Sequence, residues 1–303
     1  DLLLENDKNL ELFLSFGFYS NTKDEISKIQ KSAAMKKINH KKIRFSCEQF
    51  LNKLKIVDLQ QESPWGGPNV FFLGELLKYA QRKNFRVAFN ADGADEVFGG
   101  YSKYLLPLKF KFSKINKSYF TKHIDGTITD SSNIIKEKFI KKTLNYSKEI
   151  SVPSKSSIHN QRYLDIVYNK LPRNFRFSDR YSMYNSIELR YPFLDHELIE
   201  TSFDLKKNNL INDHKNKILL RKLVRNYKIK KKRHINSPQT EWMYKKLMHN
   251  YLEKIKNESP IYEDYFDKRK TVDFINNFFS LKQKNSFKLW QIINLDLFLR
   301  NQS

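Results

Sequence analysis

The sequence has little cysteine, few acidic residues and no long apolar run. Cys47 is the single cysteine among 303 residues, which excludes an intramolecular disulfide and a zinc site built from several cysteines. No stretch reaches the roughly eighteen apolar residues of a membrane-spanning helix. Residues 1–5 lack the basic flank and the cleavage site of a signal peptide. The sequence therefore predicts a soluble protein of the reducing cytoplasm.

Acidic residues are outnumbered, with 33 Asp and Glu against 56 Lys and Arg and a formal charge of +23. Clustered basic residues attract nucleic acids through a long-range field. Here the lysines are spread along nearly the whole chain, and one dense block covers residues 228–233. A general bias in composition or a solvated charged face explains this distribution better. We therefore expect neither a nucleic-acid partner nor a membrane partner.

The first third of the chain alternates strand-like and helix-like segments. Residues 12–18, 42–46 and 85–89 are short apolar or β-branched runs typical of buried strands. Helical spacing predicts helices at residues 22–33, 48–54 and 70–80. Strands that alternate with helices predict an α/β fold with a parallel sheet and right-handed crossovers. From Tyr104 onward the pattern is mostly helical, so we predict an α/β part at residues 1–105 and a helical part at residues 106–303.

The most informative stretch is residues 90–101, directly after the third predicted strand. Parallel sheets bind their ligands beyond the carboxyl ends of the strands. Asp92, Asp95 and Glu96 place three carboxylates within five residues, and these groups repel one another unless a cation compensates them. A magnesium ion beside a bound nucleotide is one explanation. A solvated turn whose Asp and Gly residues satisfy backbone geometry is the other, and the residues alone leave both open.

Residues 92–101, Asp-Gly-Ala-Asp-Glu-Val-Phe-Gly-Gly-Tyr, resemble a loop of the asparagine synthetase family. The family's pattern is Ser-Gly-Glu-Gly-Ser-Asp-Glu, then a hydrophobic residue and Phe-Gly-Gly-Tyr. Further similar segments follow in the family's order, and together they span roughly residues 12–300: a proline-containing segment at 63–68, Met183 with the motif at 188–195, a Lys-x-x-Leu-Arg helix at 217–221, and segments 237–242 and 289–295.

The resemblance implies a fold and a reaction. The fold is a parallel sheet of the adenine-nucleotide α-hydrolase (PP-loop ATPase) type followed by a mostly helical region, with residues 1–105 as the nucleotide-binding part. Members of the family activate a carboxylate, normally that of aspartate, at the α-phosphate of ATP, and ammonia then displaces AMP. We therefore expect ATP and Mg2+ as cofactors, and as substrates aspartate or a related acid with ammonia or glutamine.

The same resemblance assigns roles within the loop. Asp95 takes the place of the carboxylate that holds magnesium pyrophosphate. Asp92 replaces a glutamate thought to assist amide formation. Because aspartate is one methylene shorter, we expect either the reaction rate or the substrate to differ from the family's. Asn90, Ala91 and Gly93 lie where the family's loop touches the nucleotide.

Two more positions come from the resemblance. Phe16 corresponds to a strand position whose backbone reads the adenine. Lys232 lies six residues before Pro238, the spacing of the family's catalytic lysine, which would stabilise charge at the α-phosphate and on the leaving pyrophosphate. His234 and Ile235 stand where the family has Gly-Phe after this lysine. Without the family, a lysine in such a basic run is expected on the surface.

Glu188 and Arg190 place opposite charges just before residues 191–195, where the resemblance continues. We interpret the two side chains as an internal ion pair that holds the helical region on the sheet, rather than as catalytic groups.

Two family components are missing from the sequence. We find no Ser-Gly-Gly-x-Asp-Ser loop, which cradles the pyrophosphate of ATP, and no glutamine-hydrolysing domain with an N-terminal cysteine nucleophile. The expectation is a synthetase domain truncated at its N-terminus, inactive alone, whose missing glutaminase and PP-loop portion is supplied upstream in cis or in trans.

Two alternatives stay open. One is adenylation of another carboxylate, as in β-lactam-synthetase-like or polysaccharide-modifying relatives. The other is a basic scaffold protein without catalysis.

Overall fold

A computed structural model describes residues 12–19, 30, 33–34, 39–105, 114–115, 134–139, 150–151, 154, 156–223, 237–281 and 285–302. Their contacts form two units. The first contains the described residues from 80 to 115 and from 150 to 223, and the second those from 12 to 79, from 134 to 139 and from 237 to 302. This division by contacts falls inside a helix, and the functional boundary at residue 105 stays a prediction.

Short strands and a larger number of helices make up the described part of the chain. The strands are β1 (Phe13–Phe18), β2 (His40–Phe45), β3 (Val87–Phe89), β4 (Lys114–Ile115), β5 (Ile150–Ser151) and β6 (Glu188–Arg190). The helices are α1 (Cys47–Leu51), α2 (Leu54–Gln61), α3 (Asn69–Arg82), α4 (Ala94–Phe98), α5 (Ser157–Val167), α6 (Lys170–Tyr184), α7 (His196–Phe203), α8 (Lys207–Leu210), α9 (Ile218–Leu223), α10 (Gln239–Met243), α11 (Lys246–Asn257), α12 (Ile261–Asp264), α13 (Lys268–Phe279) and α14 (Ser286–Gln302). Over the described residues the protein is α/β and largely helical, with small sheets.

In the second unit, β1 and β2 pair in parallel, from Phe13 opposite His40 to Phe18 opposite Phe45. This pairing confirms two of the predicted strands. The helix predicted at residues 22–33 lies outside the described residues apart from a few positions at its end. The short helix predicted at 48–54 is two helices, α1 and α2. The first begins at a capping box, in which Ser46 and Gln49 each accept a hydrogen bond from the backbone N–H of the other.

Aromatic side chains form the core of the second unit. The buried rings include Phe18, Phe45, Phe50, Trp65, Phe71, Phe72, Trp242 and Trp290. The indole N–H of Trp290 donates to the carbonyl of Gly66 at 3.0 Å, and the side-chain amide of Asn294 donates to the carbonyl of Trp65. Helix α14 thus supplies donors to the segment at residues 63–68, whose proline and glycine residues interrupt the regular pattern.

In the first unit, β3 pairs in parallel with β6, from Val87 opposite Glu188 to Phe89 opposite Arg190. The sequence predicted β3 correctly. The prediction of a helical region around residues 188–190 was wrong, since these residues form β6. Within the described residues β3 is hydrogen-bonded to β6, and not to β1 or β2, so the expected continuous parallel sheet is not what these residues form. The described strands instead form two parallel pairs and one antiparallel pair, β4 with β5.

Strand geometry also explains why the two charged side chains of β6 contact each other. Residues two apart on a strand point to the same face, so Arg190 Nε and Glu188 Oε1 come within 2.8 Å. The predicted ion pair forms, but its side chains are 60% and 57% exposed, so the interpretation of an internal pair was wrong.

No helix in the described ranges has both the length and the apolar character needed to cross a membrane.

Candidate functional site

The acidic loop begins where β3 ends and turns at once into the short helix α4. The backbone N–H of Asn90 donates to the carbonyl of Arg190 at 2.9 Å, which continues the pairing of β3 with β6. Gly93 precedes α4 with φ 94° and Gly99 follows it with φ 70°, a left-handed conformation that glycine adopts without a steric penalty. A Cβ atom at Gly93 would also collide with the side chain of Leu194. These glycines allow the loop to form a compact turn and helix.

Asp92 is held by its neighbour Asn90. The side-chain amide of Asn90 donates to Asp92 Oδ2 at 3.1 Å, and the backbone N–H of Asp92 donates to Asn90 Oδ1 at 3.1 Å. Burial raises the pKa of Asp92 above its usual value, the hydrogen bond from Asn90 opposes that rise, and the charge of Asp95 adds to it. Asp92 is therefore an oriented carboxylate that binds a proton more readily than an exposed aspartate.

Asp95 is paired with a lysine from a distant part of the chain. Lys217 Nζ lies 3.0 Å from Asp95 Oδ1, and the two side chains are 19% and 25% exposed. The Asp95 carboxylate also lies against the backbone of Gly100, where a Cβ atom would collide with Asp95 Oδ1. Any larger residue at position 100 would displace this carboxylate.

Glu96, the third carboxylate of the loop, points inward. It is 2% exposed, and it accepts a hydrogen bond from the Tyr101 hydroxyl at 3.0 Å. Burial raises the pKa of Glu96, and it also raises the pKa of Tyr101. Lys170 Nζ lies 3.6 Å from the centre of the Tyr101 ring. Glu96 is thus part of the packing beneath the loop, and Asp92 and Asp95 are the acids of the loop that remain partly exposed.

Arg162 forms hydrogen bonds to the carboxyl end of α4. The side chain of Arg162 is fully buried. Its guanidinium donates to the carbonyls of Glu96 at 2.9 Å and Val97 at 2.6 Å, and to the carbonyl and hydroxyl of Ser202 at 3.1 and 2.6 Å. Burial lowers the pKa of Arg162 to about 10. A cation at the carboxyl end of a helix is favourably placed because unpaired carbonyls carry partial negative charge there.

An open cavity of about 470 Å³ lies along α6 and β6, with Arg176, Asp179 and Glu188 in its lining. Tyr191 lines the same cavity, and its hydroxyl lies 2.8 Å from that of Ser178. Burial raises the pKa of Tyr191, and the charge of Asp92 contributes to the rise. Strand β6 contributes Glu188 to the cavity lining and pairs with β3 up to Asn90, so the cavity lies beside the strand pair at which the acidic loop begins.

The predicted site residues fall into three groups. Asn90, Ala91, Asp92, Gly93 and Asp95 are together in the loop of the first unit. Phe16 belongs to the second unit, where its ring lies 5.2 Å from that of Phe72, so its backbone role stays a prediction. Lys232 lies outside the described residues.

Two residues of this site were missed by sequence reasoning. Lys217 opens the segment that resembles the family's Lys-x-x-Leu-Arg helix, which was the available signal, but nothing in the sequence connects it to Asp95. Arg162 carries no motif, and its only signal is a charged residue within an otherwise buried stretch of α5.

The donor set limits what kind of metal the loop can hold. Among the residues that the structure describes, no group of three or more His, Cys, Asp or Glu side chains is arranged to hold a metal ion. Magnesium is commonly bound by one or two carboxylates together with phosphate oxygens and water. Asp95 and Asp92 offer one or two carboxylates of this kind, and a magnesium role for them stays a prediction.

Fold and site together define an α/β protein with an acidic glycine loop at the carboxyl end of a parallel strand. The family model for asparagine synthase matches residues 6–300, and the chain belongs to this family. It is 25% identical over 323 aligned positions to asparagine synthetase [glutamine-hydrolyzing] 1 of Bacillus subtilis (strain 168), covering 92% of this chain and 50% of that protein. It is 33% identical over 146 positions to asparagine synthetase [glutamine-hydrolyzing] 2 of the same organism, covering 46% of this chain and 20% of the relative. The chain thus spans about half the length of the first relative.

Proposed function

We propose that this chain carries the synthetase chemistry of an ATP-dependent amide-forming ligase, with aspartate as the acid. The observation that carries the proposal is the pair of partly exposed carboxylates, Asp92 and Asp95, each held by a hydrogen bond or ion pair after the end of β3 in a member of the asparagine synthase family. The finer fold assignment, a sheet of the PP-loop ATPase type, belongs to the same proposal, as does a cytoplasmic location.

The proposed reaction has two steps. A carboxylate oxygen of the acid attacks the α-phosphorus of ATP, and the bond to the leaving pyrophosphate breaks. A nitrogen nucleophile then attacks the acyl carbon, the bond to AMP breaks, and the nitrogen loses a proton. Asp92 is the proposed acceptor of that proton, because its carboxylate is held by Asn90 and burial raises its pKa.

The remaining roles follow the family's pattern. Asp95 would hold a magnesium ion, which supplies positive charge against the pyrophosphate oxygens when bound. Asn90, Ala91 and Gly93 would contact the nucleotide through their backbone, and Phe16 would read the adenine in the same way. Lys232 would stabilise charge on the phosphates. Ammonia would be the nitrogen source, either free or released from glutamine by a glutaminase and PP-loop portion in cis or in trans.

A second candidate is the same chemistry on another carboxylic acid. Asp92 is one methylene shorter than the glutamate of the family's pattern, and the side-chain amide of Asn90 holds its carboxylate close to the loop. A shorter base reaches a different position of the attacking amine, so this observation favours an acid whose activated carboxyl extends further into the site.

The test measures AMP and pyrophosphate release from Mg-ATP in the presence of ammonium and a panel of acids that includes aspartate. With the glutaminase and PP-loop portion supplied in cis or in trans, we expect release that depends on the acid, and we expect Asp95→Asn to abolish it. The chain alone should release neither product. The exposed Asp213 provides a matched control, and Asp213→Asn should retain full release. Equal rates for the Asp95→Asn protein and the parent would refute the magnesium role, and release with another acid but not aspartate would select the second candidate.

A further inference from the structure

Lys217 reaches Asp95 from a backbone position that is uncommon for lysine. Its φ is 50°, in the left-handed region, which side chains with a Cβ adopt at an energetic cost and which is concentrated at functional sites. Lys217 immediately precedes α9, and its carbonyl accepts from the N–H of Arg221 at 2.9 Å. The surrounding contacts therefore hold this residue in a strained conformation that directs its ammonium group to Asp95.

A second set of contacts fixes the same segment to the acidic loop. The side-chain amide of Asn216 donates to the carbonyl of Gly100 at 2.8 Å. Arg221 in turn donates from Nε to the carbonyl of Asn216 at 2.8 Å and from Nη2 to its Oδ1 at 3.0 Å. The start of α9 is thus tied both to the backbone of Gly100 and to the carboxylate of Asp95, which lies against that same glycine.

We propose that Lys217 is a positioning residue that orients the Asp95 carboxylate for magnesium-bound phosphate, and that it acts through Asp95 rather than by touching the phosphate. The inference rests on the proposed function, since it concerns the same ligand. An ion pair that is mostly shielded from water is screened less than a surface pair, and its donor fixes which oxygen of the carboxylate faces outward. With Lys217 on Oδ1, the orientation of the carboxylate is set before the ligand arrives.

The experiment is a double-mutant cycle read by calorimetry of magnesium pyrophosphate binding, which does not depend on turnover. We expect Lys217→Gln to weaken binding about tenfold, the change equivalent to loss of one charge-assisted contact. Lys217→Arg keeps the cation and should recover most of the affinity. The exposed Lys215 lies two residues away, and Lys215→Gln removes the same charge from the same segment, so it should change affinity by less than about twofold.

The Asp95→Asn background separates action through Asp95 from direct contact. In that background, adding Lys217→Gln should leave the residual affinity unchanged, because the group that Lys217 orients is gone. A further tenfold loss on Lys217→Gln in this background would overturn the proposal in favour of direct contact with phosphate. Equal losses in the Lys215→Gln and Lys217→Gln proteins would overturn it in favour of a general charge effect. An absence of binding by the parent protein when the upstream PP-loop portion is supplied would refute the proposed function, and the inference with it.

Discussion

At the scale of single residues, the acidic loop keeps two carboxylates in different surroundings. Asp92 is oriented by a neutral amide and Asp95 by an ammonium group. Burial raises the pKa of Asp92 although the hydrogen bond from Asn90 opposes the rise, whereas the partner of Asp95 carries a full positive charge. This difference agrees with the two roles proposed above, proton transfer for Asp92 and binding of a cation for Asp95.

The burial of Asp92 predicts that Asp92→Asn stabilises the protein near neutral pH. Burial raises the pKa of Asp92 in the folded state above the value in the unfolded chain. Ionisation therefore opposes folding above the folded-state pKa, the penalty fades as the pH falls through the two pKa values, and it is absent below both. Asparagine keeps the shape of the side chain and carries no charge. We expect a gain on the order of 1 kcal/mol at about pH 7.

Thermal unfolding at a series of pH values measures this gain. The difference between the Asp92→Asn protein and the parent should shrink as the pH approaches about 4. The exposed Asp213 supplies the control, since Asp213→Asn should show no such trend. A lower melting temperature for Asp92→Asn at pH 7 would mean that the ionised carboxylate stabilises the fold, contrary to the argument from burial.

How far the site could be predicted depends on the distance between its residues in the sequence. Asn90, Asp92 and Asp95 lie in one continuous motif, and sequence reasoning found them. Lys217 meets Asp95 only because α9 is tied to the Gly99–Gly100 turn. Such a pairing depends on tertiary contacts, and no local pattern in the sequence encodes it.

At the scale of elements, helix α4 depends on its surroundings. It has five residues, and an isolated helix of that length is unstable in water because nucleation is unfavourable. Glycines bound it at both ends, and the guanidinium of Arg162 bonds carbonyls at its carboxyl end. The position of Asp95 on α4 is therefore set by groups outside the helix.

The role of Arg162 predicts that Arg162→Leu destabilises the first unit strongly. Leucine leaves the carbonyls of Glu96, Val97 and Ser202 buried without this donor. We expect a loss of about 3 kcal/mol in the free energy of unfolding, measured by chemical denaturation. Arg82 at the end of α3 is exposed, and Arg82→Leu should change stability by less than about 0.5 kcal/mol. Similar small losses for both variants would contradict the anchoring role.

The same distinction between local and distant contacts explains which elements the sequence predicted. Strands β1 and β3 and helix α3 have clear apolar patterns, whereas β2 has only Ile43 and Phe45 among basic residues, and the structure confirms all four elements. Strand β6 has three residues, two of them charged and exposed, so its pairing with β3 leaves no apolar pattern. Helix α4 was also missed, since its acidic residues and flanking glycines are typical of turns.

At the scale of the whole molecule, the charge of +23 contrasts with the acidic loop. The net charge acts at long range and without specificity, whereas the loop offers two carboxylates held at fixed positions. A polyanion and a magnesium-bound nucleotide should therefore bind by separable mechanisms. The basic-scaffold alternative requires that only the first of these operates.

Salt dependence distinguishes the two mechanisms. We expect the protein to bind duplex DNA weakly, with an affinity that falls about a hundredfold between about 50 and about 200 mM salt if about four phosphates are contacted. Binding of Mg-ATP, measured by calorimetry in the same buffers, should fall much less, because its charges are close and partly shielded from solvent. Asp95→Asn should weaken Mg-ATP binding and leave DNA binding, followed by fluorescence anisotropy, unchanged. Tight DNA binding that survives about 200 mM salt, in a protein that does not bind Mg-ATP, would reverse our preference and favour the scaffold.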